Sequence, residues 1–127
     1  MQVTFIEPRE SYLFASGGGE FDPTQALTLL KSVVEQCVRH KRSKLLIDFT
    51  SVEGELSILV LYDMGIKTAQ CAADLSHLAL IDRPERILPD RFWENVTRNY
   101  GLNARVFGSF AEGEAWLVGC ASGVASA

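Results

Sequence analysis

The segment Lys44-Leu45-Leu46-Ile47-Asp48-Phe49 is followed by a polar stretch over residues 50–55 and then by Leu56-Ser57-Ile58-Leu59-Val60-Leu61. This order decides the fold. Leu45, Leu46 and Ile47 are consecutive apolar residues without polar alternation, the pattern of a strand covered on both faces. The stretch 56–73 predicts a helix, and Leu78-Ala79-Leu80-Ile81 repeats the continuous apolar strand pattern. Strand, helix and strand at this spacing predict parallel pairing through a right-handed crossover.

The same alternation continues outward. Val3 and Phe5, then residues 12–15, predict two early strands joined through Pro8-Arg9-Glu10 as a hairpin. Gly17-Gly18-Gly19 read as a strand end or bulge; they lack the Lys-Ser/Thr of a phosphate loop. Asp22 is placed as a helix N-cap, Pro23 as the first helical residue and Gln25 as the capping-box partner. That helix is expected to reach about residue 40, with Ala26, Leu27, Leu30, Val33, Val34, Cys37 and Val38 forming its apolar stripe. Downstream, residues 92–100 predict a helix with a Glu94–Arg98 pair, 104–107 a strand and 110–118 a last helix. The order β-β-α-β-α-β-α-β-α predicts an α/β fold: a mixed, mostly parallel five-stranded sheet with four helices. Residues 1–118 are read as one domain, and 119–127 as a tail that frays.

Composition narrows the function. The chain has 127 residues, 47% of them hydrophobic, enough for one real core. Twelve Lys+Arg against 16 Asp+Glu give a net charge of -4, which argues against a nucleic-acid partner. The longest apolar run, residues 56–61, is far below the roughly 20 residues of a membrane span. Cys37, Cys71 and Cys120 are odd in number and scattered, so neither a disulfide framework nor a zinc site is expected. The first residues do not read as a signal peptide, and a reducing, cytoplasmic setting is inferred.

Three segments carry a family resemblance. They are Gly19-Glu20-Phe21-Asp22, then Leu46-Ile47-Asp48-Phe49-Thr50-Ser51-Val52, then Val106-Phe107 with Glu114-Ala115-Trp116-Leu117. In this order they resemble the STAS domain family, and within it the SpoIIAA-like sub-group. The resemblance implies a mostly non-enzymatic module that includes anti-sigma factor antagonists, which bind a kinase partner and are switched by serine phosphorylation. It also implies kinship in fold with lipid-binding carrier domains. The switch serine of antagonists aligns with Ser57, but Leu56 precedes it and Ile58-Leu59 follow where the family has Ser-Gly. Ser57 is therefore both a candidate phosphoacceptor and an ordinary helix cap.

Other candidates come from position. Asp48 and Thr50 lie at a strand-to-turn junction, and with Asp82 they fall where open α/β sheets place ligands. Arg83 directly follows a strand and is expected either to clamp a phosphate or carboxylate or to join a salt-bridged loop with Glu85, Arg86, Asp90 and Arg91. Arginines from 83 to 105 suggest a basic edge beside the second helix. That helix is apolar on all sides of its first turns, so Leu59, Tyr62 and Ile66 are candidate contacts for a second copy, a protein partner or a lipid-lined groove. Trp93, adjacent to Phe92, is a candidate groove wall. His40 and His77 have no metal-ligand spacing, and no cofactor or metal is expected. The sequence thus points to a regulatory module acting by protein–protein contact. A carrier or sensor of a lipid or other small amphipathic ligand is the alternative, and an enzyme ranks third.

Overall fold

The computed structural model describes residues 1–88 and 91–120. Five strands and four α-helices follow one another as β1 (Gln2–Pro8), β2 (Leu13–Glu20), α1 (Pro23–Arg39), β3 (Lys44–Glu53), α2 (Ile58–Cys71), β4 (His77–Ile81), α3 (Phe92–Asn99), β5 (Ala104–Phe107) and α4 (Phe110–Gly119). A single 3-10 turn, Pro84–Arg86, interrupts the connection from β4 to α3. β1 is antiparallel to β2, while β2, β3, β4 and β5 are parallel neighbours in that order. This is the element order and mixed sheet that the sequence predicts.

Because each crossover steps to the next strand in the same direction, α1, α2 and α3 pack side by side on one face. There Leu30, Val33, Val34 and Cys37 of α1 meet Leu13, Ala15, Leu45, Leu78 and Ala104 of the sheet. The opposite face is covered by α4, whose Leu117 meets Leu46, Ala79 and Ile81. Leu45 and Leu46 are both fully buried, one in each core, which is why the strand is continuously apolar.

Local chemistry sets the ends. Asp22 caps α1 by accepting from the Gln25 amide nitrogen at 2.9 Å, with Pro23 in the first turn. The reciprocal half of the expected capping box is absent: Gln25 Oε1 instead accepts from the Met1 ammonium at 2.7 Å. Val38, placed on the buried stripe from sequence, is 56% exposed. It follows Cys37 by one residue, about 100° around the helix, and so turns out of the core. β3 runs to Glu53, beyond the six residues expected, because its second half pairs with Gly18, Gly19 and Glu20 of β2.

Lone on its face, α4 is pinned at its C-terminal end and at its middle. Lys44 is 5% exposed, and its ammonium donates to the carbonyl of Leu117 at 2.8 Å and to that of Cys120. It thus satisfies carbonyls that a helix end leaves open and sets a cation at the negative end of the dipole. Tyr12 donates its hydroxyl to the Glu114 carboxylate, and burial followed by Glu114 pushes the phenol up to about 12. Gly113 allows the close approach, since a Cβ there would lie 2.5 Å from Ile81 Cδ1. Of the tail expected over 119–127, Gly119 closes α4 and Cys120 caps it; residues 121–127 lie outside the described residues. Lys44→Met keeps the apolar stem and removes the donor. It is expected to lower stability by about 1–3 kcal/mol, read as a reduced urea midpoint at unchanged slope.

Candidate functional site

Strand lengths build the site. β3 pairs with β4 only from Lys44 to Asp48, because β4 ends at Ile81. Residues 49–53 therefore project beyond β4. Between Ser16/Asp48 and Gly18/Ser51 the register shifts by one extra residue on β3. Asp48 Oδ1 holds that bulge, accepting from the Thr50 amide at 2.9 Å and from the Thr50 hydroxyl at 2.6 Å. Asp48 and Thr50 are thus brought together, as a backbone brace.

Two arginines take the place of the missing strand. Arg86 Nη1 donates to the Val52 carbonyl at 2.6 Å and Nη2 to that of Phe49 at 3.1 Å. The same guanidinium grips Asp82 through Nε at 2.8 Å and Nη2 at 2.7 Å, with both side chains largely buried. Arg83 Nε donates to the Thr50 carbonyl at 2.9 Å, and its Nη2 pairs with Glu53 at 2.8 Å. Arg83 thus pairs with a carboxylate of β3, outside the loop of charges in which the sequence placed its salt bridge. Burial pushes the Asp82 carboxyl above its ordinary value, and the Arg83 amide and Arg86 guanidinium only partly oppose that.

Under this overhang, between the sheet and α1, α2 and α3, lies a cavity of about 180 Å³. Its walls are mostly apolar: Ile47 and Leu80 from the sheet, Val33 from α1, Met64 from α2, Phe92 and Trp93 from α3. Asp48, Asp82, Arg86, Arg91 and Glu94 also border it. Glu94, 4% exposed, is paired with Arg91 at 3.1 Å, and Arg91 also donates to the Val106 carbonyl at 2.7 Å. The expected Glu94–Arg98 pair does not form, because the buried face of α3 takes Glu94 while Arg98 stays exposed. The basic edge read from the arginines is partly neutralised: Arg83, Arg86 and Arg91 each meet a carboxylate, while Arg98 and Arg105 are exposed and Arg105 lies over the Phe107 and Trp116 rings. Asp90, counted in that cluster from sequence, lies outside the described residues.

The first turns of α2 stand beside this end. Ser57 caps the helix, accepting from the Val60 amide at 3.2 Å, and it is exposed. Ile58, Leu59 and Tyr62 are exposed, Leu59 by 81%; Ile66, one turn on from Tyr62, is half-buried. Tyr62 packs against Phe92 with ring centroids 6.5 Å apart and hydrogen-bonds Tyr100, which raises the Tyr100 phenol. Gly65 brings the helices together: a Cβ there would lie 2.7 Å from Val96 Cγ1. Asp48 and Trp93 border the cavity, Leu59 and Tyr62 share the outer surface, and Thr50 and Arg83 brace the overhang.

At the opposite end of the sheet, His77 Nδ1 lies 2.9 Å from Ser76 Oγ, and that hydroxyl is bonded to the Ser43 carbonyl at 3.1 Å. Among the described residues no group of three His, Cys, Asp or Glu side chains is placed to hold a metal, and no helix is long and apolar enough to cross a membrane.

No family model and no curated protein matches the chain. Among solved structures it is similar to an anti-sigma factor antagonist from Mycobacterium paratuberculosis, with a TM-score of 0.57 over 92% of this chain and 95% of that one, at 16% sequence identity. The fold is the STAS fold. Arg86, which organises the candidate site, reads in the sequence only as one charge of the loop after β4, and Glu94 only as half of a helix pair, because the overhang that needs Arg86 depends on β4 ending early.

Arg86→Gln is expected to cost about 3 kcal/mol at neutral pH, since it leaves Asp82 buried without its cation. The pH dependence has a definite sign. Without Arg86, burial raises the folded Asp82 pKa further above the unfolded value of 3.8, so the variant is least impaired below 3.8 and loses stability as pH rises through the folded value. Urea midpoints from acid to neutral pH test this, and adding Asp82→Asn should flatten the slope.

Proposed function

We propose that this chain is a non-enzymatic regulatory module that works by holding a protein partner against the first turns of α2. The observation that carries this reading is the exposure of Ile58, Leu59 and Tyr62 side by side with Tyr100 outside the folded core. Exposed apolar side chains gathered on one helix are characteristic of interfaces, with an aromatic anchor supplying much of the contact. The structural neighbour is described as an antagonist of an anti-sigma factor, which supports a protein as the partner. A cytoplasmic site of action belongs to the same reading. Ser57 sits at the edge of this surface, so a phosphate there would place charge beside Ile58 and Leu59.

The test is a photo-crosslinking residue at position 59 in cells of the native host, with position 31 on exposed α1 as control. One discrete adduct from position 59 and none from position 31 is expected. Its mass identifies a partner protein or a second copy of the chain, and Ser57→Asp should weaken it several-fold while leaving the helix capped. Absence of any adduct at position 59 would contradict the reading.

A further inference from the structure

The cavity lies beneath α2, and Ile58, Leu59, Tyr62 and Tyr100 of the proposed docking surface do not line it. We propose that it binds a small uncharged molecule with an aromatic or branched hydrocarbon body and no acid group.

The walls argue for the hydrocarbon body. Ile47, Leu80, Val33 and Met64 offer no hydrogen bond, and Phe92 and Trp93 add flat faces on the α3 side. Volume sets the size. An engineered apolar cavity of about 150 Å³ takes benzene, so about 180 Å³ suits a single ring with a small substituent, roughly seven to nine non-hydrogen atoms.

Charge excludes the acid. Of the charged side chains on the lining, Arg86 is paired with Asp82 and Arg91 with Glu94, while Asp48 adds a third carboxylate. The Met1 ammonium also borders the cavity, but it is held by Gln25 in an exposed bond where water screens it. Arg83, a candidate clamp for a phosphate or carboxylate, does not border the cavity and is held by Thr50 and Glu53. A fatty acid, a phospholipid headgroup or a phosphate entering here would meet no buried cation lacking a carboxylate among the described residues. It would have to shed its water without recompense.

A size-matched pair of probes on the full chain tests this: 4-ethylphenol, neutral at pH 7, and benzoate, an anion. The phenol is expected to raise the melting temperature saturably and to change Trp93 fluorescence, with affinity at least tenfold above the benzoate. Ala26→Leu fills the cavity from α1 and should abolish the response while melting no lower than the parent; Leu80→Phe serves from the sheet side if Ala26→Leu does not fold. No response to either probe, equal affinity for both, or an undiminished response in the filled variants would each overturn the proposal. Crosslinking at position 59 is independent of all three results.

Discussion

The guanidinium of Arg86 holds the end of the sheet on which both candidate surfaces depend. β4 has five residues and β3 has ten, so residues 49–53 have no parallel neighbour on that side. Backbone carbonyls left this way must find donors. Arg86 supplies them to Phe49 and Val52, Arg83 supplies one to Thr50, and Asp82 fixes Arg86 in place. A planar fork with five donors can bind two carbonyls and a carboxylate at once, which an ammonium cannot do in the same geometry. With the overhang braced, β2 extends alongside it to Glu20, and the Phe21 amide reaches the Glu53 carbonyl at 2.9 Å. The chain then turns into α2 above the cavity.

The two ends of the sheet are built differently. At the strand starts, Lys44 ties β3 to the end of α4, and Ser76 bonds back to Ser43. At the strand ends, about 180 Å³ is left open between the sheet and the helices, and α2 begins with exposed apolar side chains. Ligands of open α/β sheets gather at the carboxyl ends of strands, and here the cavity and the α2 surface fall at that end. This chain thus has one end tied down by hydrogen bonds and another that holds the cavity and the exposed turns of α2. Met64 belongs to both parts of the open end, since it lines the cavity on the helix that bears Leu59 and Tyr62.

The element order was legible because β1 and β2 read as a hairpin, β3 and β4 are continuously apolar runs, and three of the four helices begin on a capping side chain; α3 begins on Arg91 without one. Asp22, Ser57 and Ser109 all cap as residues of their type do. The exposed α2 turns were legible too, from apolar residues on too many sides of one helix. The overhang was not. Thr50, Ser51 and Glu53 look like turn residues, and only β2, with its run of glycines, makes them a strand. Nor could spacing distinguish Arg83 from Arg86 or choose Arg91 over Arg98 for Glu94, because those choices follow from which face of the 3-10 turn and of α3 meets the sheet. Resemblance to STAS domains identified the fold, but it pointed to a lipid or other small amphipathic ligand only by kinship. The paired charges around the cavity favour a neutral ligand.

Amide hydrogen exchange on the intact chain and on Arg86→Gln tests most directly whether one guanidinium carries the functional end. The account predicts that lost protection concentrates on residues 18–21 and 49–53 and on the first turns of α2, with Leu45, Leu46 and α4 unchanged. Loss spread evenly over the sheet, or no local loss at residues 49–53, would contradict it.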